Sequence, residues 1–99
     1  MTDEAPGPEF WKRADEVIHL ANQQREDETN HKVGASLLYA AARFNAFVAA
    51  SSTQDVEEMK SEKAEALEYF CDQFRTALSE NLDDYTEHYK DYIEKFRAP

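Results

Sequence analysis

Helix breakers are scarce in this 99-residue chain. It has two glycines and three prolines, and all but Gly34 sit at its ends, as Pro6, Gly7, Pro8 and Pro99. Their absence from the long middle excludes frequent tight turns and leaves room for long helices. Cysteine occurs once, as Cys71, which excludes an intrachain disulfide and fits a reducing compartment, with the thiol as a small apolar side chain. Positive charge is short too: 11 Lys and Arg stand against 21 Asp and Glu, a formal net charge of -10. That field repels phosphate backbones and anionic headgroups, so neither direct nucleic-acid binding nor membrane binding is expected. Residues Met1 to Pro8 lack a basic segment and an apolar segment of secretory type. The expected location is cytoplasmic.

What is present is enough apolar material for one core. Hydrophobic residues make up 41% of the chain and aromatics 12%, which suits a single domain without a metal or disulfide staple. The expected organisation is a disordered tail over residues 1–7 and one helical domain over 8–99. Pro8 fits the first turn of a helix, and Phe10, Ala14, Val17, Ile18 and Ala21 recur at steps of three and four, predicting a first helix from Pro8 to about Asp27. The polar run from Arg25 to Lys32 interrupts the pattern, with Thr29 or Asn30 as the next N-cap.

A second helix is predicted over about His31 to Ser51, apolar or small almost all round. Val33, Leu37, Ala41, Phe44 and Val48 form one face; Ala35, Ala42, Ala46, Ala49 and Ala50 form a reverse face that admits a close neighbour. The window from Val33 to Ala50 has the length of a membrane span, but Arg43 near its middle opposes insertion, so a buried core helix is expected. On so dry a helix Arg43 and Asn45 become candidate buried polar residues, satisfied by an ion pair or snorkelling stem and by a core hydrogen bond.

Ser51, Ser52 and Thr53 offer turn and capping chemistry, and Asp55, Glu57 and Glu58 place acid where a third helix begins. Its seam is Val56, Lys63, Leu67, Phe70, Cys71, Phe74 and Leu78, continuing through Leu82, Tyr85, Tyr89, Tyr92, Ile93 and Phe96. Unbroken, such a helix exceeds the span of a domain this size, so a break near Asn81 and a fourth helix over Leu82 to Arg97 are predicted; the rival is one long bent helix covered by a second subunit. The fold class is therefore all-α, a compact bundle of three or four helices, with the long bent C-terminal helix as the variant.

The segment ARFNAFVAAS, Ala42 to Ser51, preceded by LLYAA and followed by NLDDY at Asn81 to Tyr85, resembles a small bacterial family known as domain of unknown function 3144. The pattern FWKRAD, Phe10 to Asp15, falls in the same order, and the resemblance spans about Glu9 to Ile93. It implies a single domain and brings no activity, substrate or catalytic residue.

No catalytic, cofactor-binding or metal-binding residue is assigned, and no cofactor is expected. Glu16 and His19, and again Glu28 and His31, have the E-x-x-H spacing of di-iron bundles. The first pair points away from its helix's apolar seam, the second falls in a loop, and inward glutamates on other helices are missing. Asp83, Asp84, Glu87, His88 and Asp91 make an acidic strip without the spacing of a calcium loop. Tyr85, Tyr89, Tyr92 and Phe96 are the candidate interface, since phenols suit a boundary between core and water. Docking of the last helix onto the first would use the same residues and is the plainer reading.

The leading expectation is a non-enzymatic protein-interaction module, a homodimer or larger homo-oligomer, whose protein partner the sequence does not name. The alternatives are a metal-dependent, ferritin-like bundle assembled across a dimer and, below it, an acidic mimic of nucleic acid.

Overall fold

The computed structural model describes residues 6–97, so the expected tail over 1–7 lies outside the described residues except for Pro6 and Gly7. The protein is all-α, with no strand among the described residues. Helix α1 spans Pro8–Gln24, α2 Asn30–Ser51 and α3 Val56–Glu87; a π-helical turn over Lys90–Glu94 and a last helical turn, α4, Lys95–Arg97, follow. The chain divides into two units, Met1–Phe47 and Val48–Pro99, with the boundary inside α2.

In the first unit, Pro8 opens α1 behind Gly7, which has extended backbone. The corner between α1 and α2 is held by Arg25, whose guanidinium donates to the Asn22 side chain at 3.2 Å and to Asn30 at 3.3 Å. Thr29 caps α2, its hydroxyl oxygen accepting from the Lys32 N–H at 3.3 Å. Glu28 pairs with Lys32 at 3.3 Å across this start. One turn in, Val33 is the buried residue among those described, 6% exposed. Helices α1 and α2 do not pack side by side in this unit. The apolar positions foreseen as core therefore stand open: Phe10, Val17, Ile18, Leu37 and Phe44 are exposed, while Ala14 and Ala21 are half-buried.

The reverse face of α2 departs from expectation in the same way. Ala35, Ala42, Ala46 and Ala50 are exposed and Ala49 is half-buried. Helix α2 is the one described helix long and apolar enough to cross a membrane, with a mean hydropathy of 1.3, and 6% of that window is buried. The expected buried core helix is thus an uncovered one.

In the second unit the caps are rearranged relative to the sequence reading. Ser51, Ser52 and Thr53 do not cap α3; each hydroxyl donates to the carbonyl three residues back, on Val48, Ala49 and Ala50, at 2.8, 2.8 and 2.7 Å. The Ala49 and Ala50 carbonyls also accept from the Ser52 and Thr53 N–H groups, at 3.3 and 3.0 Å, so the hydroxyls reinforce the closing turn of α2. Asp55 is the N-cap of α3, accepting from the Glu58 N–H at 2.8 Å, and Glu58 reaches back to accept from the Gln54 N–H at 3.4 Å. This cap, backed by a return bond to the residue before it and by Glu57 and Glu58 in the first turn, explains a firm helix start without any help from Ser51 to Thr53.

The break foreseen at Asn81 is absent. Its side-chain amide donates to the Ala77 carbonyl at 2.7 Å, and Thr86 donates likewise to Leu82 at 2.7 Å, so neither competes for a capping position. Helix α3 runs 32 residues, about 48 Å. It ends at His88, where φ -111° and ψ 32° leave the α region. The long C-terminal helix is therefore the observed variant, and the separate fourth helix over Leu82 to Arg97 is replaced by the end of α3, the π turn and α4.

Candidate interaction surface

The candidate interface residues lie around the junction of α3 with the π turn. Tyr85 sits in the last turns of α3, Tyr89 and Tyr92 beyond it and Phe96 in α4; all four are exposed. The structure brings Tyr85 and Tyr92 together, with ring centroids 4.6 Å apart and planes inclined at 44°. His88 stands edge-on to Tyr92 at 6.0 Å. The Tyr92 phenol donates to Asp84 Oδ2 at 3.1 Å, and His88 Nε2 lies 3.8 Å from Asp84 Oδ1. One carboxylate thus gathers a phenol and an imidazole at the point where the helix changes register. Tyr89 takes part in none of these ring contacts.

That geometry sets the acidity of Tyr92. Its pKa is raised above 10.0, first by the hydrogen bond to Asp84 and then by the Asp84 charge, with smaller contributions from burial, Tyr85 and Asp91. Ionisation would bring a phenolate against a carboxylate and lose the donated proton.

The π turn also resets which residues share a face. An i to i+5 turn holds one residue more than an α turn, so the chain beyond Glu94 is rotated by roughly 100° from the path of an uninterrupted α-helix. Phe96, in phase with Tyr85 on a continuous helix, is turned off that line. The row foreseen as four residues becomes a cluster of Tyr85 and Tyr92 around Asp84 and His88. Sequence reasoning named the tyrosines but gave Asp84 and His88 only a place in an acidic strip; the i,i+4 spacing of the two was the available signal.

Arg43 and Asn45 are not buried polar residues of a core. Arg43 is exposed and Asn45 half-buried, because no helix lies along α2 in the first unit to dry this face. No buried side-chain polar atom lacks a partner among the described residues. Glu16 and His19 are exposed on α1, whereas His31 belongs to the first turn of α2 and Glu28 is engaged by Lys32. Among the described residues no three His, Cys, Asp or Glu side chains converge as a metal site. Asp91 pairs with Lys95 at 3.8 Å as an ordinary i,i+4 contact.

Large exposed apolar side chains occur in both units. Tyr39 and Phe47 of α2 are 69% and 64% exposed, and Leu67 and Phe74 of α3 are 62% and 52% exposed. On α3, Leu67, Phe74, Leu78, Leu82 and Tyr85 follow one another at steps of three, four and seven and so share a face, with Phe70 half-buried beside them. Cys71 is a free, exposed thiol on the same face.

No curated protein matches the chain. Among solved structures, the NMR structure of the protein NB7890A from Shewanella sp. is similar, with 32% sequence identity and a TM-score of 0.74, covering 95% of this chain and 98% of that one. A family described as "Protein of unknown function (DUF3144)" matches residues 10–86, a span that takes in FWKRAD, the ARFNAFVAAS segment and the whole length of α3 up to Thr86. The chain is a member of the DUF3144 family.

Proposed function

We propose that the protein is a non-enzymatic helical interaction module, a cytoplasmic homo-oligomer that works by binding protein through the apolar faces of its helices. The observation that carries this reading is the imbalance of burial: Val33 is buried, while large hydrophobic side chains from Phe10 to Phe96 are exposed. Exposed apolar side chains in such number mark interaction sites. Helices gain most of their stability from packing an amphipathic face, so helices with uncovered faces need a partner.

Charge narrows the kind of partner. A formal charge of -10 opposes nucleic acid and anionic lipid, and Arg43 within the apolar window of α2 opposes membrane insertion by roughly 2.5–3.5 kcal/mol. The free thiol of Cys71 agrees with a reducing compartment.

Size exclusion with light scattering, run beside circular dichroism from nanomolar to high micromolar concentration, tests the reading. The expected result is a dimer or larger species whose helicity falls as it dissociates on dilution. A monomer of full, concentration-independent helicity would overturn it.

A further inference from the structure

The face of α3 that carries its apolar seam also carries a charge pattern that selects an occupant. Within the α-helical length Val56–Glu87, the charged residues on or bordering that face are few. Lys60 and Lys63 lie in the first half, with Glu57, Glu68 and Arg75 along one margin; Asp84, which accepts from the Tyr92 phenol, lies at the other margin in the second half. The many other acids of α3, such as Glu65 and Asp83, fall on the opposite side by helical phase. Lys63 makes no ion pair among the described residues, and the exposed Lys60 meets only Glu57, one turn earlier, at 3.4 Å.

These positions are symmetric about one point. Asp72 is midway between Lys60 and Asp84, between Lys63 and Asn81, and between Phe70 and Phe74. A second α3 laid antiparallel across this midpoint therefore sets Phe70 against Phe74 in the centre. It sets Lys63 against Asn81 on either side, and brings Asp84 beside the Lys60–Lys63 turn at both ends. At the margin, Arg75 falls within one residue of the level of Glu68 of the other copy. A parallel, in-register pair would instead place Lys60 and Lys63 against their own copies, and Asp84 against Asp84, which is repulsive.

We propose that α3 is the self-association surface of this protein and that its occupant is the α3 of a second copy, antiparallel, about a two-fold axis at Asp72. The inference rests on the self-association proposed above and specifies its surface and polarity. The helix is about 48 Å long, and a two-fold contact is self-complementary, so each matched pair occurs twice. The same seam buries Leu67, Phe74, Leu78 and Tyr85, which supply the apolar centre that a stable homodimer interface requires.

The test uses disulfide trapping in the full chain with Cys71→Ala as background. Lys63→Cys and Asn81→Cys are made separately and oxidised alone and as a refolded mixture. Antiparallel pairing gives a cross-linked dimer from the mixture and little from either variant alone, because like positions then lie about 27 Å apart along the axis. Strong cross-linking of each variant with itself would overturn the polarity. A dimer by light scattering with no cross-link in any combination would overturn the surface while leaving self-association standing. A monomer throughout would overturn both. If either cysteine variant fails to fold, charge reversal serves: Lys63→Glu should weaken the dimer and added Asp84→Lys should restore it, and failure of restoration counts against the pairing.

Discussion

Replacing Asp55 by alanine separates the contribution of the α3 cap from that of packing. The Asp55 carboxylate accepts from the Glu58 N–H at 2.8 Å, and the alanine leaves that first-turn donor to water. Loss of such a cap costs about 1 kcal/mol, and removing a negative charge from the positive end of the helix dipole costs a further ~0.3–1 kcal/mol. The return bond from Gln54 to Glu58 is long, at 3.4 Å, and adds little. The sum is about 1–2 kcal/mol, which lowers the melting temperature of a chain this size by about 4–15 °C. Asp55→Asn keeps the acceptor and loses only the charge, so its shift should be under half as large. Thermal melts followed by circular dichroism, at one fixed protein concentration because association raises the apparent stability, give both numbers. An alanine variant that melts with the wild type, or an asparagine variant as damaged as the alanine one, would refute the assignment of Asp55 as the working cap.

Further outcomes follow from the same structure. Tyr92 should ionise above 10.0 in an ultraviolet or NMR titration, and Asp84→Asn should move it back toward that value. Because the folded pKa is raised, its contribution to stability is complete below pH 10.0 and declines as pH rises through the folded pKa; a midpoint at or below 10.0 contradicts the Tyr92–Asp84 bond. Val33→Ala should cost roughly 1.5–3 kcal/mol in denaturant melts, and Phe47→Ala less despite its larger side chain, since Phe47 is 64% exposed; the reverse order would mean that Phe47 is covered in solution. Phe74→Glu, near the midpoint of α3, should convert the dimer to monomer by light scattering, whereas Tyr89→Glu, beyond the end of α3, should weaken it less; equal effects would count against an interface centred on Asp72.

Helix positions were legible because they depend on local chemistry. Pro8, Thr29 and the acids at Asp55 to Glu58 mark starts that the structure places within a residue or two. The errors arose where one local signal had two physical uses. Ser51, Ser52 and Thr53 can cap a following helix or return their protons to the preceding one, and they do the latter. Asn81 can cap or can bond to the Ala77 carbonyl within a continuing helix, and it does the second. Burial was the least legible property, since an apolar stripe states that a face wants cover without stating which chain supplies it. The pattern places Leu37, Phe44 and Arg43 in a core on that ground, and all are exposed. At the candidate surface, the tyrosines are visible as a periodic row, but the π turn that shifts the phase of Phe96 relative to it has no signature in residue spacing.

That turn has a consequence for the length of the chain. Lys90–Glu94 stores one residue beyond what an α-helix needs over the same rise. Deleting a single residue there would let the backbone close in ordinary i to i+4 bonds, and Lys95–Arg97 would keep the facing they have now. Adding a residue has no such outlet and would turn everything after it. The C-terminal end is thereby built to tolerate shortening by one position and not lengthening, so a relative one residue shorter in this segment would present the same terminal surface.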